Sequence, residues 1–187
     1  GRLHDAVVAL EEGRGILLAQ GLNRQSQDFN FSEIVTRAGT SPLVYLENIA
    51  GGFALIVRDS DVQALDLPML REEHVNSWLA QHLNLRLTDP GAFETKLSDL
   101  CRWLWDACMG QVVQALGSCQ YITLIPGGYL GMMPLHAAWT EDASKPTGRK
   151  YAMDCLGIRY APTALSLGEP HRSQWQSILC IDDPQPT

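Results

Sequence analysis

The sequence predicts an α/β fold in which a mixed sheet is flanked by helices and preceded by a long amphipathic helix. Three observations predict this fold class. Short runs typical of strands occupy residues 43–46 and 53–57, and helical periodicity follows over residues 93–116. A continuous apolar run over residues 121–125 then enters a Pro-Gly-Gly turn, as a buried strand does. Such alternation of strands and helices favours a sheet covered by helices.

The composition is that of a folded, acidic protein. The chain has 187 residues, 45% of them hydrophobic, which is enough to bury one sizeable core and to begin a second. Its 21 acidic and 14 basic side chains give a formal charge of −7, and the basic residues are scattered. Because an acidic chain without a basic patch repels phosphate backbones, we expect no direct contact with nucleic acid.

Cysteine usage and hydropathy indicate the compartment. The cysteines form an odd set of five without a Cys-x-x-Cys pair, which is typical of a reducing compartment. The first residues lack the pattern of a secretory signal, and no apolar run is long enough to span a bilayer. We therefore expect a cytoplasmic protein with no membrane partner. The cysteines are Cys101, Cys108, Cys119, Cys155 and Cys180.

The first segment is predicted to be helical. Apolar residues recur at helical spacing from Ala6 to Leu18, with acidic side chains early and Arg14 and Arg24 later, in the order that complements the helix dipole. The polar stretch after Arg24 is predicted as the exit of this helix. Residues 31–38 form one more short helix.

The next segment changes to the periodicity of strands. Residues 43–46 and 53–57 are predicted as neighbouring strands, separated by Ala50-Gly51-Gly52. Residues 62–67 alternate apolar and polar side chains after a polar turn, which indicates a half-exposed antiparallel strand that Pro68 ends.

Two helices follow, over residues 71–83 and 93–116. The second carries a single apolar stripe, and the chain's tryptophans are expected to anchor helices of this kind. The residues of the stripe are Leu97, Leu100, Cys101, Leu104, Cys108 and Val112.

Beyond the strand at 121–125 the alternation is predicted to continue. Residues 132–139 are predicted as a short apolar helix, 157–160 as a strand, and 163–175 as a helix. Residues 177–181 are predicted as a last buried strand.

Glycines at residues 127–131 suggest two kinds of site. A glycine-rich loop between a strand and a helix can cradle phosphate, but the Gly-Lys-Ser/Thr ending of a P-loop and the full Gly-x-Gly-x-x-Gly pattern are both missing. The oxyanion loop of serine esterases is the other comparison, and it requires a Gly-x-Ser-x-Gly elbow that the sequence lacks. We favour a tight turn packed against the sheet.

Single histidines and cysteines offer little chemistry. His136 has the chemistry of a general base, yet it has apolar neighbours and no adjacent acid, so we interpret it as a satisfied core histidine. Cys180 ends an apolar strand, where thiols are inert. The other histidines, His4, His74, His82 and His171, show no metal-ligand spacing. We therefore assign no catalytic, cofactor-binding or metal-binding residue and expect no cofactor.

Three stretches support a family comparison. Residues 121–139 read Tyr-Ile-Thr-Leu-Ile-Pro-Gly-Gly-Tyr-Leu-Gly-Met-Met-Pro-Leu-His-Ala-Ala-Trp, and residues 160–165 read Tyr-Ala-Pro-Thr-Ala-Leu. Residues 10–15 read Leu-Glu-Glu-Gly-Arg-Gly. The first two resemble the signature of CHAT-domain proteins, which are caspase-like cysteine peptidases related to separases. The third is similar to the helix that often joins tetratricopeptide repeats to the CHAT region.

The resemblance implies a division of the chain. Residues 1–41 would be a helical linker from upstream repeat-like helices, and residues 42–176 the N-terminal, pseudo-caspase part of a caspase-like mixed sheet. Residues 177–187 would begin the catalytic half. The family's catalytic His and Cys, in His-Gly and Ser-Ala-Cys turns, lie further on, and neither His171 nor Cys180 has these neighbours. The resemblance therefore implies a chain that is inactive alone.

The segment between the first helix and the first strand departs from the family. It is shorter than in relatives, so we expect either a genuinely short linker or missing residues near Phe29 and Asn30.

Two functions follow from the resemblance. The first is a brace for the catalytic half of a cysteine endopeptidase, coupled to tetratricopeptide repeats or another partner-sensing region. The alternative is a non-catalytic pseudo-protease scaffold or protein-interaction module that binds through its exposed last strand. Nucleotide binding at residues 127–131 is a third, weaker hypothesis.

Overall fold

The computed structural model describes residues 1–22, 30–49 and 51–167, and within them a five-stranded mixed sheet with helices on both faces. The strand order is β3-β2-β1-β4-β7, in which β1, β4 and β7 are parallel and β2 and β3 are antiparallel to their neighbours. The predicted fold class is confirmed. The strands of this sheet are β1 (Leu43–Glu47), β2 (Phe53–Arg58), β3 (Asp61–Asp66), β4 (Tyr121–Pro126) and β7 (Gly157–Tyr160).

The central strand β1 divides the interior into two cores, because alternate side chains of a strand point to opposite faces. Val44 and Leu46 enter the larger core, and Leu43 and Tyr45 enter the smaller one. All five side chains of β1 are buried. The continuous apolar run that predicted this strand therefore reflects burial on both faces.

Three helices cover the larger core: α3 (Glu72–Thr88), α4 (Pro90–Leu104) and α5 (Gly110–Leu116). The sequence predicts α4 and α5 as one helix, whereas a π-helical turn, Trp105–Met109, lies between them. The predicted apolar stripe continues through this turn. Its buried members are Leu100, Cys101, Leu104, Cys108 and Val112.

Two helices cover the smaller core: α1 (Arg2–Leu22) and α2 (Phe31–Ala38). Val7 and Ile34 are fully buried there, and the rings of His4 and Phe31 stack with their centroids 4.0 Å apart. The predicted exit of α1 after Arg24 lies outside the described residues, as does Phe29. Asn30 is described and caps α2, since its Oδ1 accepts a hydrogen bond from the backbone N–H of Glu33 at 2.9 Å.

The predicted helix over residues 132–139 is wrong. This stretch forms two 3₁₀ turns, Gly128–Met132 and Leu135–Ala137, and then β5 (Trp139–Glu141), which pairs with β6 (Arg149–Tyr151) as a hairpin. A short helix, α6 (Ala152–Cys155), follows the hairpin. Pro134 disfavours helical backbone at the residue before it, and Met133 is extended with φ −86° and ψ 142°, so a helix does not continue from Met132.

Trp139 anchors the hairpin rather than a helix. Its Nε1 donates a hydrogen bond to the backbone oxygen of Ser98 at 3.1 Å. The guanidinium groups of Arg149 and Arg102 lie 4.0 and 5.5 Å from the indole centroid. The contacts with Ser98 and Arg102 fix the hairpin to α4, while Arg149 packs on the ring from the paired strand β6.

The described part of the chain ends shortly after β7. A 3₁₀ turn, Ala164–Ser166, occupies the beginning of the predicted helix over residues 163–175. The rest of that helix, the predicted strand at 177–181, His171 and Cys180 lie outside the described residues. Among the described helices, none is both long and apolar enough to cross a membrane.

Candidate functional site at the carboxyl ends of the parallel strands

The carboxyl ends of β1, β4 and β7 meet at one edge of the sheet because these strands are parallel. This is the edge at which open α/β sheets place their ligands and reacting groups. Glu47 ends β1, Gly127 follows β4, and Tyr160 ends β7. The chemistry of the site is therefore set by the side chains around these three residues.

Gly127 lies directly against a carboxylate. A Cβ atom at this position would overlap the carboxylate of Glu47, so a larger residue fits only if that side chain moves. The Gly127 N–H donates to the backbone oxygen of Leu46 at 2.8 Å, which continues the pairing of β1 with β4. Because this N–H is already paired, Gly127 offers no free backbone donor to a phosphate, which argues against nucleotide binding at this residue.

Arg14 of α1 neutralises that carboxylate. Its Nη2 forms an ion pair with Glu47 Oε1, and its Nη1 donates to the backbone oxygen of Ile125 at 3.0 Å. The guanidinium also lies 5.6 Å from the ring centroid of Tyr45. The side chains of Arg14 and Glu47 are only 15% and 8% exposed, so water screens this pair weakly.

Glu11 of α1 makes a second buried polar contact. Its Oε1 accepts a hydrogen bond from the backbone N–H of Ala164 at 2.8 Å, which ties α1 to the segment after β7. Glu11 Oε2 and Tyr45 Oη are also buried, and neither makes a hydrogen bond of acceptable geometry within the described residues. Burial and the nearby Glu11 charge raise the pKa of the Tyr45 phenol.

We call Glu11, Arg14, Tyr45 and Glu47 the polar cluster. It joins the three stretches that resemble the CHAT family, because Glu11 and Arg14 come from the first, Ile125 and Gly127 from the second, and Ala164 from the third. The contacts of Arg14 with Ile125 and of Glu11 with Ala164 span 111 and 153 positions of sequence.

The sequence interpretation of α1 missed this cluster. It treated acidic and basic side chains as surface charges ordered along the helix dipole. One signal was present: Glu11 lies four residues after Val7 and three before Arg14, so all three share one face of the helix. Because Val7 is on the apolar face, charged residues in line with it were candidates for burial.

His136 is exposed, so its interpretation as a core histidine is wrong. The predicted helix would have placed it among buried neighbours, but the 3₁₀ turn buries Leu135 and Ala138 and turns His136 outward. Its backbone N–H donates to Tyr160 Oη at 3.0 Å, and its Nδ1 lies 3.1 Å from the same oxygen. The pair fastens the turn to β7.

Tyr160 therefore engages both the backbone and the side chain of His136. Its Oη accepts from the backbone N–H, and it lies within hydrogen-bond distance of Nδ1 in either neutral tautomer of the imidazole. Nδ1 is thus committed to a contact within the fold.

The described cysteines do not supply a thiolate to this edge. Burial raises the pKa of Cys101 and raises that of Cys108 to about 12, so both remain thiols at neutral pH. Cys119 and Cys155 line a groove at the amino ends of β4 and β7, at the opposite edge of the sheet. Across residues 1–22, 30–49 and 51–167, no group of three or more His, Cys, Asp or Glu side chains is placed to hold a metal ion.

Alkaline pH is expected to destabilise the fold. Burial raises the pKa of Cys108 from 9.0 to about 12 and that of Tyr160 from 10.0 to about 12. Both groups ionise in the unfolded chain before they ionise in the fold, so their contribution is complete below about pH 9 and is lost as the pH rises toward about 12. Urea unfolding at about pH 8.5 and pH 10.5 measures this loss.

Substitution of Cys108 measures how much of the loss of stability at alkaline pH comes from this thiol. Between these two pH values the free energy of unfolding of Cys108→Ala should fall by about 2 kcal/mol less than that of the parent chain. This difference does not depend on the stability of the variant at neutral pH. Cys119→Ala removes a half-buried thiol and is the matched control, with the parent's pH dependence. Equal pH dependence in all three proteins would contradict the assignment to Cys108.

Two comparisons with known proteins find no match for this chain. No protein-family model matches it. None of the curated proteins matches it either. The case for a function therefore rests on the site and on the resemblance of the three stretches that the polar cluster joins.

Proposed function

We propose that this chain is the non-catalytic N-terminal part of a CHAT-family, caspase-like cysteine endopeptidase. In this role it braces the catalytic half and links it to a partner-sensing repeat region. One observation carries the proposal: α1 is attached by buried charged side chains to the carboxyl edge of the parallel strands. Arg14 reaches Glu47 and Ile125 there, and Glu11 reaches Ala164.

The chemistry of the described edge supports a bracing role. A cysteine endopeptidase needs a thiolate to attack the peptide carbonyl and a histidine to move protons. At this edge His136 is engaged by Tyr160, and Cys108 is a buried thiol. The nucleophile and base of the proposed enzyme would therefore come from the following half, and this chain would supply the sheet that positions them.

The proposed protein works in the cytoplasm. Cys101, Cys108, Cys119 and Cys155 are all free thiols, in keeping with a reducing compartment. Its proposed partners are the catalytic half of the same domain and tetratricopeptide repeats or another protein that they bind.

The test begins with the reading frame after Thr187. A His-Gly turn, a strand and a Cys turn are expected there. A protein extended through these motifs should hydrolyse a fluorogenic peptide library, and replacement of the motif Cys by Ala should abolish the hydrolysis. The 187-residue chain alone should be inactive. Hydrolysis that persists at the parental rate without the Cys would contradict the proposal.

The alternative function is a non-catalytic scaffold or protein-interaction module. The predicted last strand at 177–181 lies outside the described residues. Among the described strands β7 stands at the edge of the sheet and pairs with β4, and an added strand would lie beside it. A groove of about 420 Å³ lies beside this edge, lined by Ser41, Tyr121, Ile122, Gly157, Ile158 and Arg159. A reading frame without both the His and the Cys motif would favour this alternative.

A further inference from the structure

We propose that the polar cluster is a conformational relay, in which the position of α1 sets the position of the turn that follows β4. The turn consists of residues 127–132. The idea that helices upstream of α1 would move it rests on the proposed function. The coupling between α1 and the turn is a property of the described chain. It is therefore testable without any protease activity.

The first step is the weak apolar attachment of α1. Among its described side chains, which end at Ile16, Val7 is the only fully buried apolar one, while Leu3 and Ile16 are 39% and 48% exposed. Ala6, Val8 and Leu10 pack against the smaller core only in part, and Glu11 and Arg14 add polar contacts to this attachment. Removing one partner of a buried ion pair leaves the other charge without compensation, so loss of Arg14 weakens the attachment of α1 at Glu47.

The second step is the position of Glu47 between the helix and the turn. Its carboxylate touches Arg14 on one side and the backbone of Gly127 on the other. If α1 moves away, the carboxylate loses its cation and the departing helix opens the site to water. A carboxylate that turns toward water leaves its place against Gly127, so the packing of Gly127 follows the position of α1.

The third step carries the movement to the surface. Gly127 leads directly into the 3₁₀ turn Gly128–Met132, in which Leu130 is fully buried while Tyr129 and Met132 are 57% and 62% exposed. A shift of Gly127 therefore changes where two large apolar side chains point at the carboxyl edge. Release of α1 in this way alters the surface that faces whatever the edge contacts.

Hydrogen exchange of the 187-residue chain, measured by mass spectrometry, tests the relay in one direction. In Arg14→Ala we expect backbone amides of residues 127–132 to exchange at least tenfold faster, with the β5–β6 hairpin unchanged. The matched control is Arg71→Ala, since Arg71 is 58% exposed and pairs with Glu73 away from the cluster. In this control the backbone amides of residues 127–132 should exchange at the parental rate.

Coupling between two sites is reciprocal, so the second direction is tested from the turn. Gly127→Ala inserts a methyl group against Glu47 and should speed exchange in α1. Gly131→Ala lies in the same turn, but its Cβ would have only Pro126 Cγ near it, at 4.0 Å. That control should leave α1 protected as in the parent chain.

Two results would overturn the relay. One is faster exchange of α1 in Arg14→Ala with the turn still at the parental rate. The other is an unchanged α1 in Gly127→Ala. If Arg14→Ala accelerates exchange throughout the chain, the same criterion applies to Arg14→Lys, which keeps the charge but lacks the two separate guanidinium nitrogens that bond to Ile125 and Glu47. Failure of the relay would leave the proposed family and its peptidase test unaffected.

Discussion

Replacement of Arg14 by Ala is expected to lower the free energy of unfolding by about 3 kcal/mol, among the largest losses for a single residue of this chain. The substitution leaves the Glu47 carboxylate buried without its cation and the backbone oxygen of Ile125 without the Nη1 donor. Unfolding in urea at neutral pH, followed by tryptophan fluorescence and circular dichroism, measures the loss.

The double variant Arg14→Met/Glu47→Leu provides the internal control. Replacing both charges by apolar side chains of similar size removes the unpaired carboxylate, so most of the lost stability should return. Arg71→Ala controls for the loss of an exposed arginine and should cost less than about 0.5 kcal/mol. A loss in Arg14→Ala no larger than in Arg71→Ala would mean that the polar cluster does not stabilise the fold.

Replacement of Gly52 by Ala is expected to cost on the order of 3 kcal/mol as well. Gly52 has a φ of +86°, which disfavours any residue with a Cβ atom. A Cβ there would also lie 2.5 Å from the backbone oxygens of Leu67 and Leu70. Because these are backbone atoms, the clash is relieved only by moving the chain after β3.

Substitution of Gly51, the preceding residue, separates the cost of the positive φ angle from the cost of the close backbone atoms. Gly51 has a φ of +98°, but a Cβ there would meet no atom within 4 Å. Gly51→Ala should therefore cost only the backbone strain, about 1 to 2 kcal/mol. The same urea titration compares the two variants, and equal losses would show that the close approach at Gly52 contributes nothing beyond its φ angle.

Much of the fold is predictable from local patterns. The strands at 43–46, 53–57 and 157–160 and the stripe from Leu100 to Val112 follow from side-chain periodicity, which depends only on near neighbours in the chain. The wrong predictions also have local causes, but side-chain periodicity does not reveal them. At residues 132–139 the apolar content was typical of a helix, but Pro134 and the contacts of Trp139 with α4 favour turns and a hairpin.

The site was less predictable than the fold. The sequence assigned Gly127 to a tight turn, which is confirmed, but it provided no reason for the close approach of Glu47. The sequence placed His136 in the core because its neighbours are apolar. The direction of its side chain is set instead by the 3₁₀ turn Leu135–Ala137. Orientation of this kind depends on backbone geometry rather than on the apolar character of the segment.

The sequence by itself determined the α/β class and the order of most elements, and it contains the three stretches on which the proposed family rests. Only the tertiary structure decided that these stretches meet, through Glu11 and Arg14 on one face of α1. The reason is that burial and hydrogen-bond partners are set by segments 111 and 153 positions away in the chain. A charge on a helix is a solvated surface group or a buried contact according to what packs against it.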